Sequence, residues 1–143
     1  MGNKPIIFID DDLEDLETMR EMASLMYHPT QVMVFDKPHA ALDFLKTSDT
    51  LPLFILCDIN MPKLTGFQLR EELLSMREPP FNNVPFILLS TSKTEAEILL
   101  ADELKIKGFY KKSNSFSGMK ETLENIMSSV KTPPGEGQAV VDI

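Results

Sequence analysis

The sequence predicts an α/β domain built on a doubly wound parallel sheet, and three observations carry that expectation. Five short apolar runs alternate with five longer segments of helical periodicity. The central runs are apolar without interruption, as strands covered on both faces must be. The length of 143 residues suits one domain, because a chain of about 150 residues buries roughly 68–70% of its unfolded surface and can close one core.

The elements follow in order. Ile6-Ile7-Phe8-Ile9 is the first strand. Leu13 to Tyr27 is a helix with Leu13, Leu16, Met19, Ala23 and Met26 at helical spacing. Asp12 is placed to cap it, with Asp15 three positions further on. Gln31 to Phe35 is the second strand, and Pro38 to Thr47 a short helix whose proline suits a first turn. Leu53 to Cys57 is the third strand, followed by a helix over Gly66 to Met76. Arg77 to Pro85, with three prolines and two asparagines, is a loop. Phe86 to Leu89 is the fourth strand, Lys93 to Lys105 a helix, and Gly108 to Lys111 a shorter fifth strand. Ser115 to Val130 is an amphipathic helix with Phe116, Met119, Leu123, Ile126 and Val130 on one face. Crossovers in such a sheet are right-handed. Residues 1–130 therefore form the domain, and residues 131–143, which hold Pro133-Pro134-Gly135 and Gly137, read as a flexible tail.

Composition narrows the function. A formal charge of −8 and a pI near 4.7 repel phosphate backbones, which argues against nucleic acid as a direct partner. No apolar stretch approaches the roughly 20 residues of a membrane helix, and the opening residues lack a secretory leader. Cys57 is the single cysteine and lies in an apolar run, where a thiol packs as a small hydrophobe. A cytoplasmic protein without membrane contact is the expectation. His28 and His39 lack metal-ligand or triad context and read as surface residues, while the methionines read as core.

Ligands of open α/β sheets bind beyond the carboxyl ends of the strands. The first strand ends in Asp10-Asp11-Asp12, the third in Asp58, the fourth in Ser90-Thr91-Ser92 and the fifth in Lys111-Lys112. Side by side, these ends gather carboxylates, a hydroxyl and an ammonium on one edge. Clustered carboxylates repel and raise each other's pKa unless a cation intervenes. Oxygen ligands alone favour a hard divalent ion such as Mg²⁺. With that charge neutralised, a carboxylate can attack a phosphoryl group in line, and the metal, ammonium and hydroxyl share its oxygens.

The run Cys57-Asp58-Ile59-Asn60-Met61-Pro62 followed by Gly66 resembles the phosphoacceptor signature of response-regulator receiver domains of two-component signalling. An acidic pair after the first strand, a Ser or Thr after the fourth and a Lys after the fifth extend the resemblance over roughly residues 4 to 130. The resemblance implies a flavodoxin-like three-layer α/β/α fold of strand order 2-1-3-4-5, of the stand-alone, chemotaxis-regulator-like type. Asp58 would accept the phosphoryl group. Asp11 would ligate Mg²⁺ directly, with Asp58 and the Asn60 backbone carbonyl, and Asp10 would act through water. Ser90 and Lys112 would each hold a phosphoryl oxygen. Asn60 and Ser92 match the positions that tune phosphoryl lifetime, and Phe109 the aromatic that turns inward as the hydroxyl moves. That movement would reshape the face of the fourth helix, fifth strand and fifth helix, where Ile98, Leu99, Leu100, Leu104 and Ile106 exceed one buried stripe and suggest a partner surface. The implied partners are a histidine kinase or histidine phosphotransfer protein and a downstream protein target. Apart from self-catalysed phosphoryl uptake and hydrolysis, no enzyme activity is implied.

Two positions depart from the family pattern. Ser113 follows Lys112 where the family usually has proline in a cis bond; a cis bond before serine costs roughly 2.5–4 kcal/mol, so a trans bond and a looser loop are expected. Thr65 precedes Gly66 where Asp is usual. Three other functions compete. An aspartate-nucleophile phosphatase would need a second acid where Asn60 stands. A flavodoxin-like cofactor binder would need a phosphate loop where Asp10-Asp11-Asp12 stands. A degenerate receiver would act as an interaction module without phosphorylation.

Overall fold

The computed structural model describes residues 4–26, 32–77, 81–131 and 141–142. The elements alternate as expected: β1 (Ile6–Ile9), α1 (Leu13–Met26), β2 (Val32–Phe35), α2 (Pro38–Thr47), β3 (Phe54–Asp58), α3 (Gly66–Leu74), β4 (Phe86–Ser90), α4 (Glu95–Glu103), β5 (Gly108–Lys111) and α5 (Phe116–Lys131). The strands are parallel in the order β2-β1-β3-β4-β5, the order expected above. A sixth strand, β6 (Val141–Asp142), adds to the free edge of β5, with Val141 opposite Gly108 and Asp142 opposite Phe109. It falls within the segment read as a tail. A two-residue strand has no apolar periodicity to betray it and is held by backbone pairing. Residues 132–140 and 143 of that segment, with His28 and the expected ends Tyr27 and Gln31, lie outside the described residues.

Alternation along each strand divides the core between the two faces of the sheet. Ile7, Ile9, Ile55, Cys57, Phe86, Leu88 and Phe109 pack on one face beneath residues of α2, α3 and α4. Ile6, Phe8, Phe54, Leu56, Ile87, Leu89 and Tyr110 pack on the other beneath α1 and α5. Phe109 and Tyr110 are therefore both buried. The period of two suggests that only one should be, but helices cover both sides of this sheet.

Several helical positions differ from the periodic reading. Leu13 and Phe116 are 63% and 54% exposed, although each falls on its helix's apolar stripe. Each is the first residue of its helix, at the sheet's carboxyl edge where the covering layer ends. On and after α4, Ile98, Leu100 and Leu104 pack against the core and Ile106 is buried, leaving only Leu99 exposed, at 68%. The aliphatic excess is thus mostly core. Both α3 and α4 are shorter than the periodicity suggests. Past α4, Lys105 adopts a left-handed φ of 57° and Ile106 N–H donates back to the Ala101 carbonyl, a closure that ends a helix.

Arg70 of α3 is buried, and its guanidinium donates to the carbonyls of Leu104, Lys105 and Phe81 at 3.0, 3.3 and 3.5 Å. It also lies 5.4 Å from the centre of the Phe86 ring. Burial lowers its pKa to about 10, so it remains a cation at neutral pH. This cation satisfies carbonyls at the end of α4 and pins that helix to α3.

Gly66 opens α3 against β3. A methyl group there would come within 2.8 Å of the Asp58 carbonyl oxygen and 2.9 Å of Leu88 Cδ2. Gly66→Ala should cost about 1–3 kcal/mol of stability through overpacking. The check is urea unfolding, where the midpoint should fall with little change in m.

Candidate functional site

Backbone pairing carries each candidate residue to the same sheet edge. Asp10 N–H donates to the Phe35 carbonyl at 3.1 Å, continuing the pairing of β1 with β2 one step beyond Ile9. Asp58 closes β3 opposite Leu89. Ser90 closes β4, and Lys112 N–H donates to its carbonyl at 2.8 Å. Asp10, Asp58 and Ser90 are buried, and Asp11 and Asn60 are exposed.

The local hydrogen bonds separate capping from chemistry. Asp12 Oδ1 accepts from the amides of Glu14 at 2.9 Å and Asp15 at 3.3 Å, so Asp12 caps α1 as expected. Asp10 Oδ1 accepts from Asp12 N–H at 2.9 Å, and Asp58 Oδ1 from Asn60 N–H at 3.3 Å. Ser90 Oγ accepts from Ser92 N–H at 3.2 Å. The cap of α4 is Thr94, which forms a reciprocal capping box with Glu97. Ser92 is thereby left at the exposed rim.

Lys112 joins these parts. Its Nζ lies 2.8 Å from Asp10 Oδ2, 2.9 Å from Asp15 Oδ2 and 3.4 Å from Asp58 Oδ2. Asp10 Oδ2 is buried, and its partner is this ammonium, in an ion pair at 2.8 Å. Burial pushes the Asp10 carboxyl up to about 6, and the nearby Asp58 charge adds to the rise against the pull of Lys112. Burial also raises Asp58, with Lys112 opposing. Burial alone would lower Lys112, but its carboxylate partners outweigh that effect and hold its pKa above the ordinary value.

Asp10, Asp11 and Asp58 each offer an oxygen, all within 4.8 Å of one another. This hard oxygen set, two of its three carboxylates buried, fits a divalent cation. Beside it a cavity of about 650 Å³ is lined by residues that include Asp10, Asp12, Asp15, Thr91, Lys112 and Phe116.

The loop after β5 is bridged by its own hydroxyls. Ser113 Oγ accepts from Ser115 N–H at 3.2 Å, and Ser115 Oγ accepts from Gly118 N–H at 3.0 Å, capping α5. Such hydroxyl-to-amide bonds are the local turn pattern open to serine. Phe109 already lies inward: it is fully buried, meets Phe67 edge to face at 6.4 Å, and has Lys93 Nζ 5.2 Å from its ring centre. Lys93 Nζ also donates to the Phe109 carbonyl at 2.8 Å.

Sequence reasoning gave neither Asp15 nor Lys93 a place here. Asp15 was legible only as a first-turn acid of α1, and the residue it meets is 97 positions away. A lysine before a helix reads as a surface charge, and Lys93 shows its role only once β5 lies beside it.

The raised Asp10 sets a pH dependence. Its folded-state pKa lies above its unfolded value, so its protonated form favours the fold; that contribution is complete below pH 3.8 and is lost as pH rises through about 6. Asp10→Asn should therefore stabilise the protein at pH 7 by up to about 3 kcal/mol and by much less at pH 4, read from denaturant unfolding in metal-free buffer.

Known proteins give the same picture. The sequence matches the profile of the response regulator receiver domain over residues 6–124. It is 24% identical over 131 residues to the response regulator Rcp1 of Synechocystis sp. strain PCC 6803, which covers 87% of each chain. The fold matches the phosphorylated cyanobacterial phytochrome response regulator RcpA with a TM-score of 0.80 and 24% identity, over 93% of this chain and 99% of that one. It matches the Mn²⁺-bound form of Rcp1 with a TM-score of 0.75 and 23% identity, over 87% and 92% of the two chains. With the profile match covering residues 6–124, the chain belongs to the response regulator receiver domains.

Proposed function

We propose that this receiver domain takes a phosphoryl group on Asp58, with Mg²⁺, from a histidine kinase or histidine phosphotransfer protein, and signals to a downstream protein. The observation that carries the reading is the placement of one ammonium, Lys112, within reach of both Asp10 and Asp58 at a shared edge. Asp58 is buried on its strand side, and its Oδ1 is engaged by Asn60 N–H. Asp58 Oδ2, the oxygen facing Lys112, is the natural nucleophile. With acetyl phosphate as donor, this oxygen bonds to phosphorus as the bond from phosphorus to the acetyl oxygen breaks, and acetate leaves with the electron pair. No proton need move. Loss of the group reverses the gain: water attacks phosphorus, and inorganic phosphate and the free carboxylate result.

A divalent ion held by Asp11, Asp58, the Asn60 carbonyl and, through water, Asp10 would offset the negative charge gathered on the phosphoryl oxygens. Mn²⁺ in the Rcp1 structure supports such an ion, and Mg²⁺ is the abundant counterpart with the same oxygen preference. Lys112 and the Ser90 hydroxyl each bind one phosphoryl oxygen. Ser90 Oγ accepts from Ser92 N–H, so a movement of Ser90 toward the phosphoryl group would carry the approach to α4 with it. Phe109 is the second element of the switch: it packs inward against Phe67 even while Ser90 accepts from Ser92 N–H, and a movement of Ser90 toward the phosphoryl group would favour that inward rotamer further. The face of α4, β5 and α5, with Leu99 exposed on it, carries the change to the target. Asn60 and Ser92, exposed on either side of the site, set water access and so the phosphoryl lifetime. The domain on this reading is a signalling acceptor located in the cytoplasm, with no turnover activity beyond its own dephosphorylation.

Intact-mass spectrometry after incubation with acetyl phosphate and Mg²⁺ tests the reading. The parent should gain one phosphoryl mass; Asp58→Asn should gain none, and chelation of Mg²⁺ should abolish the gain in the parent. If the parent neither gains the mass nor binds Mg²⁺, the chain is an interaction module that works without phosphorylation.

A further inference from the structure

We infer that Asp15 is a positioning residue for Lys112 and that it restrains phosphoryl chemistry at Asp58; the inference rests on Asp58 being the acceptor. An ammonium has three protons to donate. Lys112 Nζ is met by Asp10 Oδ2 at 2.8 Å, Asp15 Oδ2 at 2.9 Å and Asp58 Oδ2 at 3.4 Å. Its short contacts are thus with two carboxylates that do not react, and its longest is with the one that does.

The two short partners differ in kind. Asp10 is a buried residue at a strand end and belongs to the oxygen cluster with Asp11 and Asp58 that fits a divalent ion. Asp15 stands in the first turn of α1, outside that cluster, with its side chain 43% exposed while that of Lys112 is 15% exposed. It therefore engages the ammonium from the solvent side, on the wall of the 650 Å³ cavity that Asp10, Asp12, Asp15 and Lys112 share. A cation on the cluster would occupy Asp10 and leave Asp15 on Lys112.

A phosphoryl group forming on Asp58 draws on the same ammonium for charge compensation. Asp15 competes for it, and adds negative charge beside an incoming anionic donor. The fold thus places a brake in direct contact with the reacting carboxylate's counter-charge. Removing the charge of Asp15 while keeping its size should release Lys112 toward Asp58, speeding phosphoryl uptake and tightening the hold on a phosphoryl mimic. A partly exposed ion pair of this kind is worth about two- to fivefold in either quantity.

The test uses the full chain with Mg²⁺ and two probes: beryllofluoride binding followed by fluorine NMR, and the initial rate of phosphoryl uptake from acetyl phosphate followed by intact mass. Asp15→Asn should bind beryllofluoride about two- to fivefold more tightly and take up the phosphoryl group faster by the same factor. Asp15→Glu should return toward the parent. The ¹⁵N signal of the Lys112 side chain should shift in Asp15→Asn, which a purely structural role for Asp15 would not require. Asp12→Asn is the control for bulk charge: Asp12 lines the same cavity and carries the same charge, but it caps α1 and makes no ion pair with Lys112, and Asn caps equally well. Its effect should be less than half that of Asp15→Asn. Equal effects from the two variants, or unchanged or weaker binding in Asp15→Asn while the parent is still modified at Asp58, would overturn the inference and leave the acceptor reading intact. A parent that takes up neither probe would overturn both.

Discussion

One ammonium makes the carboxyl edge of this sheet possible. Asp10 and Asp58 are buried and close together, and two such carboxylates repel one another and lose hydration. Lys112 reaches both, and Asp15 as well. Its position is set by the sheet itself, because Lys112 N–H pairs with the Ser90 carbonyl and carries the β4–β5 register one residue past the strand. The counter-charge is thus a product of strand pairing, and an error of one residue in that register would turn Lys112 to the other face.

The covering helices fix what the strands leave open. Gly66 lets α3 start against the carbonyl of Asp58, so the loop that follows the acceptor is short and close. Arg70 ties α3 to the carboxyl end of α4, and the Thr94–Glu97 box closes the other end of that helix. Between them, Lys93 joins the start of α4 to the backbone and ring of Phe109. A chain of contacts therefore runs from Ser90 through Ser92 and the α4 approach to β5, built from hydrogen bonds and one buried ring. Such packed, discrete contacts can support two arrangements of the face, which a loosely packed edge would not.

The site is also where the fold gives up stability. A buried carboxyl with a raised pKa works against folding at neutral pH, while the strand residues behind it are continuous apolar core. Local and global preferences disagree there, the pattern expected of a functional site.

The sequence by itself determined the alternation of elements, the continuous apolar strands and the residues at each strand end, since these depend on local periodicity and on the order of the chain. It therefore placed Asp10, Asp11, Asp58, Ser90 and Lys112 at one sheet edge, helped by a motif whose spacing is short. It overestimated the exposed aliphatic surface of α4, misjudged Leu13 and Phe116, and passed over β6. Periodicity reports which side of a helix is apolar, but it carries no information about where the covering layer stops or which strand edge is free. Only the tertiary structure decided that Asp15 meets Lys112, that Lys93 seals Phe109 and that Arg70 closes α4. Each of these joins a charged side chain to a group distant in the chain, and a charge on a helix surface reads the same whether it faces water or a partner until packing brings the partner to it.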